Sequence, residues 1–278
     1  MKEAATTRDG CGSSCPAIAM GSVSVWTAAK AYILRDIDWV ARRGERWALI
    51  GPNGSGKSTV LSIVGAMRHP SQGWAAVLGG TLGRIDMPAL RRRIGFVDSG
   101  ASVLDWLTGE DVVLTGASGT MRPLWGTYST GQQTRARELL ALLGCAQLAD
   151  REIATCSQGE RGRIRIARAL MAEPELLLLD EPAVGLDLSA REALIAALDR
   201  LSEEQPALTS VLVTHHLEEL PPSTTHALLL REGAVVAQGP IDEALSSEAL
   251  TACFGFPVEC RRDGERWTAR APASWARR

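Results

Sequence analysis

Lysine is nearly missing from this chain of 278 residues: it occurs only at Lys2, Lys30 and Lys57, against 27 arginines. A bias this strong makes each retained lysine worth examining. Neither sign of charge is in large excess. The 30 basic and 32 acidic side chains leave a formal net charge of -2, which argues against a protein that lives on nucleic acid. No window approaches the roughly 18 to 20 consecutive apolar residues that a membrane span needs. If the function involves a membrane, another chain must supply the spans. The start of the chain lacks a basic stretch followed by an apolar run, so it is not a secretory signal, and residues 1–22 read as a disordered leader. Six cysteines (Cys11, Cys15, Cys145, Cys156, Cys253, Cys260) are scattered rather than arranged as a framework. Their spacing suggests free thiols in a reducing compartment, and no histidine cluster completes a metal site with either pair. There is no internal repeat, so the chain is a single unit rather than a fused pair.

What is present is apolar bulk and pattern. Hydrophobic residues make up 45% of the chain, enough to bury a sizeable core in one large α/β domain, alone or with a small appendage. The apolar run Trp47-Ala48-Leu49-Ile50 leads straight into Gly51-Pro52-Asn53-Gly54-Ser55-Gly56-Lys57-Ser58, followed by Thr59 and a further apolar stretch. This is a strand, a glycine loop of the form G-x-x-x-x-G-K-S, then a helix. Glycines let backbone N–H groups converge on phosphate oxygens, and the helix N-terminus adds positive potential. Lys57 can reach β- and γ-phosphates, and the Ser58 hydroxyl can ligate Mg²⁺. The candidate nucleotide-binding residues here are Gly51, Pro52, Asn53, Gly54, Ser55, Gly56, Lys57, Ser58 and Thr59, and the motif marks a P-loop NTPase, with Mg²⁺ the expected ion, without saying which kind.

A second constellation lies downstream. Glu175 to Glu181 reads E-L-L-L-L-D-E, a buried parallel strand with carboxylates at its C-terminal end, where ligands sit in an open α/β sheet. Asp180 can hold the Mg²⁺ shell and Glu181 can orient or deprotonate an attacking water. Before that strand comes Cys156-Ser157-Gln158-Gly159-Glu160, then a helical segment ending Ile166-Ala167-Arg168-Ala169-Leu170, with Ser157 a good N-cap. Here the chain resembles the ABC (ATP-binding cassette) ATPase family, whose signature is usually L-S-G-G-Q followed by a helix rich in I-A-R-A-L. Ser157 and Gly159 match; Cys156, Gln158 and Glu160 depart.

The resemblance spans roughly residues 23–239 and carries several implications. The fold it implies is a P-loop NTPase α/β core with a parallel sheet, an antiparallel β edge and an inserted α-helical subdomain. The nucleotide-binding domain would cover 23–240, with the helical subdomain at about 101–156 facing the membrane partner. Two cassettes, as a homodimer or heterodimer, would sandwich two nucleotides head to tail, Ser157 and the Gly159 amide completing the partner's site. Asp187 in Gly185-Leu186-Asp187 would lie at the dimer contact. Val211-Leu212-Val213-Thr214-His215 resembles the strand that ends in the family's switch histidine, which senses the γ-phosphate; His216 is the rival. The family's Mg²⁺-binding glutamine is missing, and Ser99 aligns with it, with Asp98 as a near rival. The adenine-stacking aromatic would be Trp26 or Tyr32.

Other segments read more plainly. Arg91-Arg92-Arg93 is a solvated helix end. Leu228-Leu229-Leu230 and Ala234 to Ala237 form a closing hairpin around Arg231-Glu232-Gly233. Trp106 and Trp125 either pack the helical subdomain's core or form part of a docking surface. The tail, 241–278, is helical at first and then Arg-rich and irregular. The implied function is an ATP-hydrolysing subunit of an ABC transporter, cytoplasmic, peripheral on the inner membrane face and partnered by transmembrane permease subunits. The alternative is a soluble ABC ATPase such as a cofactor-assembly protein. The helical region is too short for the coiled coil of repair-type members, and translation-type members carry two cassettes.

Overall fold

Strand β3 (Arg46–Ile50) alternates cleanly: Trp47 and Leu49 belong to one buried cluster, Ala48 and Ile50 to another. Strand β7 (Leu176–Asp180) does the same, with Leu176 and Leu178 on the first side and Leu177 and Leu179 on the second. Successive side chains of a strand point to opposite faces, and both faces are covered here, which is why these strands read as unbroken apolar runs.

The computed structural model describes residues 15–98, 100, 104–273 and 275. In chain order the elements before the helical region are β1 (Ile18–Trp26), β2 (Tyr32–Ala41), β3, α1 (Lys57–Val64), β4 (Gln72–Val77), β5 (Gly80–Thr81), α2 (Met87–Arg92) and β6 (Ile94–Asp98). Then follow α3 (Gly109–Ser118), α4 (Thr130–Leu142), α5 (Gln158–Leu170), β7, α6 (Leu188–Glu204) and β8 (Thr209–Thr214). The chain continues through β9 (His226–Arg231), β10 (Ala234–Pro240), α7 (Ile241–Ala244), α8 (Ser247–Phe254), β11 (Glu259–Asp263) and β12 (Arg266–Arg270).

The larger sheet has the order β10-β9-β3-β8-β7-β6. Every pairing from β9 to β6 is parallel, and β10 closes the edge as an antiparallel hairpin with β9. A second, antiparallel sheet, β2-β1-β4-β5, covers one face together with α1. Helices α3 to α6 cover the other. Helices α3, α4 and α5 pack mutually between β6 and β7 in sequence. Trp106 and Trp125 do not fill the core of this lobe: both are more than half exposed, with ring centroids 5.7 Å apart.

Two boundaries differ from the expectation. Residues 18–22 of the supposed leader belong to strand β1, with Ile18 and Met20 buried in the β1–β2 and β1–β4 pairings; residues 1–14 lie outside those described. The tail is not irregular beyond its helices. Its charged segments pair as β11 and β12 around one buried residue, Trp267, over which the Arg262 guanidinium lies. The thiol expectation also needs correction at Cys15, which is disulfide-bonded, whereas Cys145, Cys156, Cys253 and Cys260 are free.

Arg93 is not merely a solvated helix end. It bonds Glu175, which also takes a hydrogen bond from Arg43 at 2.6 Å, so one carboxylate joins the entries to β3, β6 and β7. The two guanidiniums, Arg93 first, hold the Glu175 carboxyl down at about 2 from an ordinary 4.5. A carboxyl lowered on folding adds stability above its unfolded value and loses it as pH falls through the folded one. Glu175→Gln should therefore unfold at lower temperature than the parent at pH 7, and the gap should close between about pH 4.5 and 2. Melting curves across that range check it; a pH-independent gap would mean that the pair contributes packing, not charge.

Candidate ATP site

Parallel strands deliver their carboxyl ends to one edge, and the chemical groups gather there. At the end of β3 the chain turns through Gly51–Gly56. A Cβ on Gly51 would stand 2.2 Å from the Leu230 carbonyl oxygen, so no other residue fits. Gly54 and Gly56 have φ of 80° and 104°, the left-handed region that favours glycine. Helix α1 starts at Lys57 with no side-chain cap on its first turn, which leaves its N–H groups to a phosphate. The Lys57 ammonium arches back over the loop and donates to the carbonyls of Gly51 (2.8 Å) and Pro52 (3.1 Å). Ser55 Oγ is buried without a partner. A loop with an orphaned hydroxyl, uncapped amides and a buried ammonium fits a triphosphate.

Around it stand three carboxylates and an imidazole. Asp98 and Asp180 are partners in the β6–β7 register. Glu181 follows Asp180 with φ of 47°, a strained conformation for a side chain of its size, and its N–H donates to Val213 (3.2 Å). His215, at the end of β8, brings Nδ1 within 3.4 Å of Glu181 Oε1 without hydrogen-bond geometry. His216 is exposed, its ring centroid 4.1 Å from that of His215. Ser99 lies outside the described residues; the rival, Asp98, ends β6 opposite Asp180. Sequence reasoning passed over Thr214 and Glu219. The Thr214 hydroxyl accepts from the His216 N–H (3.0 Å) and bonds the buried Glu219 carboxylate, which fixes the turn that carries His215. A buried acid in a polar turn leaves no periodic signal.

Ser157 caps α5 in a reciprocal box with Glu160: Ser157 Oγ accepts from Glu160 N–H (3.3 Å) and Glu160 Oε2 from Ser157 N–H (2.8 Å). That amide leads in holding the Glu160 carboxyl below its ordinary value. Gln158 donates to the Val184 carbonyl (2.9 Å), and a Cβ on Gly159 would meet Ala190 at 2.7 Å. The signature segment thus contacts the 184–190 loop of its own chain. Asp187 caps α6, accepting from the Ala190 N–H at 2.8 Å. Trp26 and Tyr32 face each other across the β1–β2 pairing as an edge-on pair 5.8 Å apart, and Ile33 and Leu34 immediately after Tyr32 approach Gly56.

The sequence profile of the ABC transporter family matches residues 34–184. The chain belongs to the ABC transporter family. The uncharacterized ABC transporter ATP-binding protein YlmA of Bacillus subtilis is 40% identical over 232 residues, 82% of this chain and 87% of the relative. The cobalt import ATP-binding protein CbiO of Rhodobacter capsulatus is 35% identical over 229 residues, 80% of this chain and 78% of its own. The dimeric cassette MJ0796, solved in a post-hydrolysis state with ADP and Pi, superposes with a TM-score of 0.69 at 27% identity, covering 81% of this chain and 98% of that one. The present cassette is accordingly an ATP-binding, ATP-hydrolysing subunit of an ABC transporter that works through partner membrane subunits. Among the described residues no helix is long and apolar enough to cross a membrane.

Charge in this cassette is unbalanced. Burial, then Glu181 and Asp98, push the Asp180 carboxyl up, and Lys57 only partly opposes them. Burial likewise pulls the Lys57 ammonium down. A carboxyl raised on folding favours the fold below its unfolded value and loses that contribution as pH rises through the folded one, so ionised Asp180 destabilises the protein at pH 7. Asp180→Asn should raise the melting temperature of nucleotide-free protein at pH 7 by a few degrees, the scale on which about 1 kcal/mol moves a chain of this size. The gain should vanish in acid. An unchanged melting temperature at pH 7 would mean that Lys57 compensates the carboxylate fully.

Proposed function

We propose that Mg-ATP binds across the Gly51–Thr59 loop and that hydrolysis runs on Glu181 and His215. The observation that carries this reading is the approach of His215 to Glu181, 3.4 Å apart, on the strands that flank Asp180 and the P-loop. Lys57 would leave its two carbonyls for β- and γ-phosphate oxygens, and the loop amides would cradle the rest. The Ser58 hydroxyl and the Asp180 carboxylate suit a Mg²⁺ shell, with Ser99 at the position of the missing glutamine and Asp98 as its rival; bound there, the ion would neutralise developing phosphate charge. Glu181 would orient and deprotonate the attacking water. His215 would contact the γ-phosphate and pass its presence to the turn behind it.

A second cassette would close over each nucleotide with Ser157 and Gly159, and Asp187 would lie at that contact. The MJ0796 dimer supports the arrangement. The Gln158 link means that signature and 184–190 loop would move together towards the partner's phosphate. The adenine would stack on Trp26 or Tyr32. The cleft of about 590 Å³ between core and helical lobe, lined by Arg91, Arg92, Phe96, Gly116 and Arg168, suits an acidic segment of a membrane subunit, which would keep the cassette peripheral on the cytoplasmic face. The core would span about 18–240, β1 included, with 241–278 appended to it.

Replacing the water-activating carboxylate separates binding from turnover. Glu181→Gln should still bind Mg-ATP while hydrolysis falls by at least about 100-fold, and light scattering should show ATP converting monomer to dimer. Undiminished turnover in this variant would remove Glu181 from the reaction.

A further inference from the structure

The β11–β12 hairpin is fastened to the core at one strand and reaches the ATP site with the other. On β11, the Cys260 N–H donates to Ser247 Oγ of α8 (2.8 Å), and the Arg262 guanidinium donates to Asp242 of α7 (2.6 Å). Just before the strand, the Val258 N–H donates to Thr251 Oγ1, also on α8 (3.0 Å). These hydrogen bonds root β11 away from the segment that carries His215. Trp267 of β12 is buried in the core between them.

From β12 the hairpin makes a second set of bonds. The Arg266 guanidinium donates to both oxygens of Glu192 on α6 (2.7 and 3.3 Å) and to the Glu218 carbonyl (2.6 Å). The Ala269 N–H donates to the Glu218 carboxylate (3.2 Å). Glu218 is therefore gripped by main chain and side chain, three positions beyond His215. The Thr214–Glu219 bond holds the same turn from the inside. The other end of the clamp lies near the start of α6. Glu192 follows Asp187 by five positions, about 7.5 Å along a helix that rises 1.5 Å per residue, and Asp187 is where a second cassette would make contact.

Stability is a poor explanation for this arrangement. The side chains of Arg266 and Glu192 are 31% and 44% exposed, and an ion pair so open to water adds little to the fold. Direction is what such a pair supplies. A planar guanidinium has its donors in a fixed fork, so two acceptors bound to it are set at one geometry relative to each other. A lysine concentrates its charge at a single point and would not impose that geometry.

We infer that Arg266 is a positioning residue, tying the first turns of α6 to the Glu218 turn and so holding His215 beside Glu181 for ATP hydrolysis. The inference rests on the role proposed for His215. Without the guanidinium, Glu218 keeps its bond to Ala269 but loses its tie to α6, and the turn is free to drift. The P-loop, carried by β3 and α1, takes no part in the clamp.

Arg266→Met in the full-length protein, alone and combined with His215→Ala, tests this. Turnover at saturating Mg-ATP is expected to fall at least about fivefold in Arg266→Met. ADP lacks the γ-phosphate that His215 would meet, so its affinity should stay within about twofold of the parent, as a general loss of fold would not allow. Glu192→Ala, which cuts the α6 arm without touching the hairpin, should also slow turnover, and Arg266→Lys should recover part of what Arg266→Met loses. Added to His215→Ala, Arg266→Met should bring no further fall, because the residue it positions is already gone. Unchanged turnover in Arg266→Met or Glu192→Ala, beside a slow His215→Ala, would overturn the inference and leave the reaction proposed above standing. A further fall in the double variant, or ADP affinity lost together with turnover, would overturn it as well. Full turnover in His215→Ala would remove the histidine from the reaction and this inference with it.

Discussion

Four adjacent strands, β3, β8, β7 and β6, run in parallel, and that direction decides everything at the site. It sends Gly51, His215, the Asp180–Glu181 pair and Asp98 to a single edge, although they are far apart in sequence. It also sets Glu181 and Asp180 beside one buried ammonium, with Asp98 next to Asp180, an arrangement that favours the arrival of further positive charge. The bound carbonyls of Gly51 and Pro52 keep Lys57 arched over the loop, so the ammonium needs little reorganisation to reach a phosphate. The left-handed backbone of Glu181 is tolerated because neighbouring strands and the Val213 carbonyl over-determine it.

The departures from the family signature have local structural uses. Glu160, in place of the glutamine, closes the capping box with Ser157, and a box of this kind satisfies two otherwise orphaned donors. Gln158, in place of a glycine, spends its amide on Val184. Together they bind the start of α5 to the loop that follows β7. Gly159 cannot be relieved in the same way, because Ala190 occupies the space where its side chain would be.

Legibility followed the length of the pattern. Lys57, Asp180, Glu181 and His215 could be singled out because each belongs to a contiguous motif whose chemistry explains its spelling, and the short unbroken apolar runs of β3 and β7 were enough to mark buried strands. The β9–β10 hairpin was equally local. By contrast, Ile18 to Met20 is too short an apolar run to betray a strand whose partners, β2 and β4, lie further along the chain. The β11–β12 hairpin hides behind its charges, since a single inward tryptophan gives no period. Glu219 was invisible because its burial depends on Thr214 bending back to meet it.

The position of β3 has a consequence for how the molecule is made. Its two neighbours in the sheet are β8 and β9, and the Arg46 N–H finds its acceptor on Thr225, 179 positions further along. While the chain emerges from a ribosome, the strand that carries the phosphate loop therefore waits with both edges unpaired until most of the protein has been translated. Closing so long a loop is slow, and an apolar strand with open edges is prone to mispairing meanwhile. The oldest part of the site in order of synthesis is among the last to become structure, and its safe passage depends on whatever shields Trp47 to Ile50 in the interval.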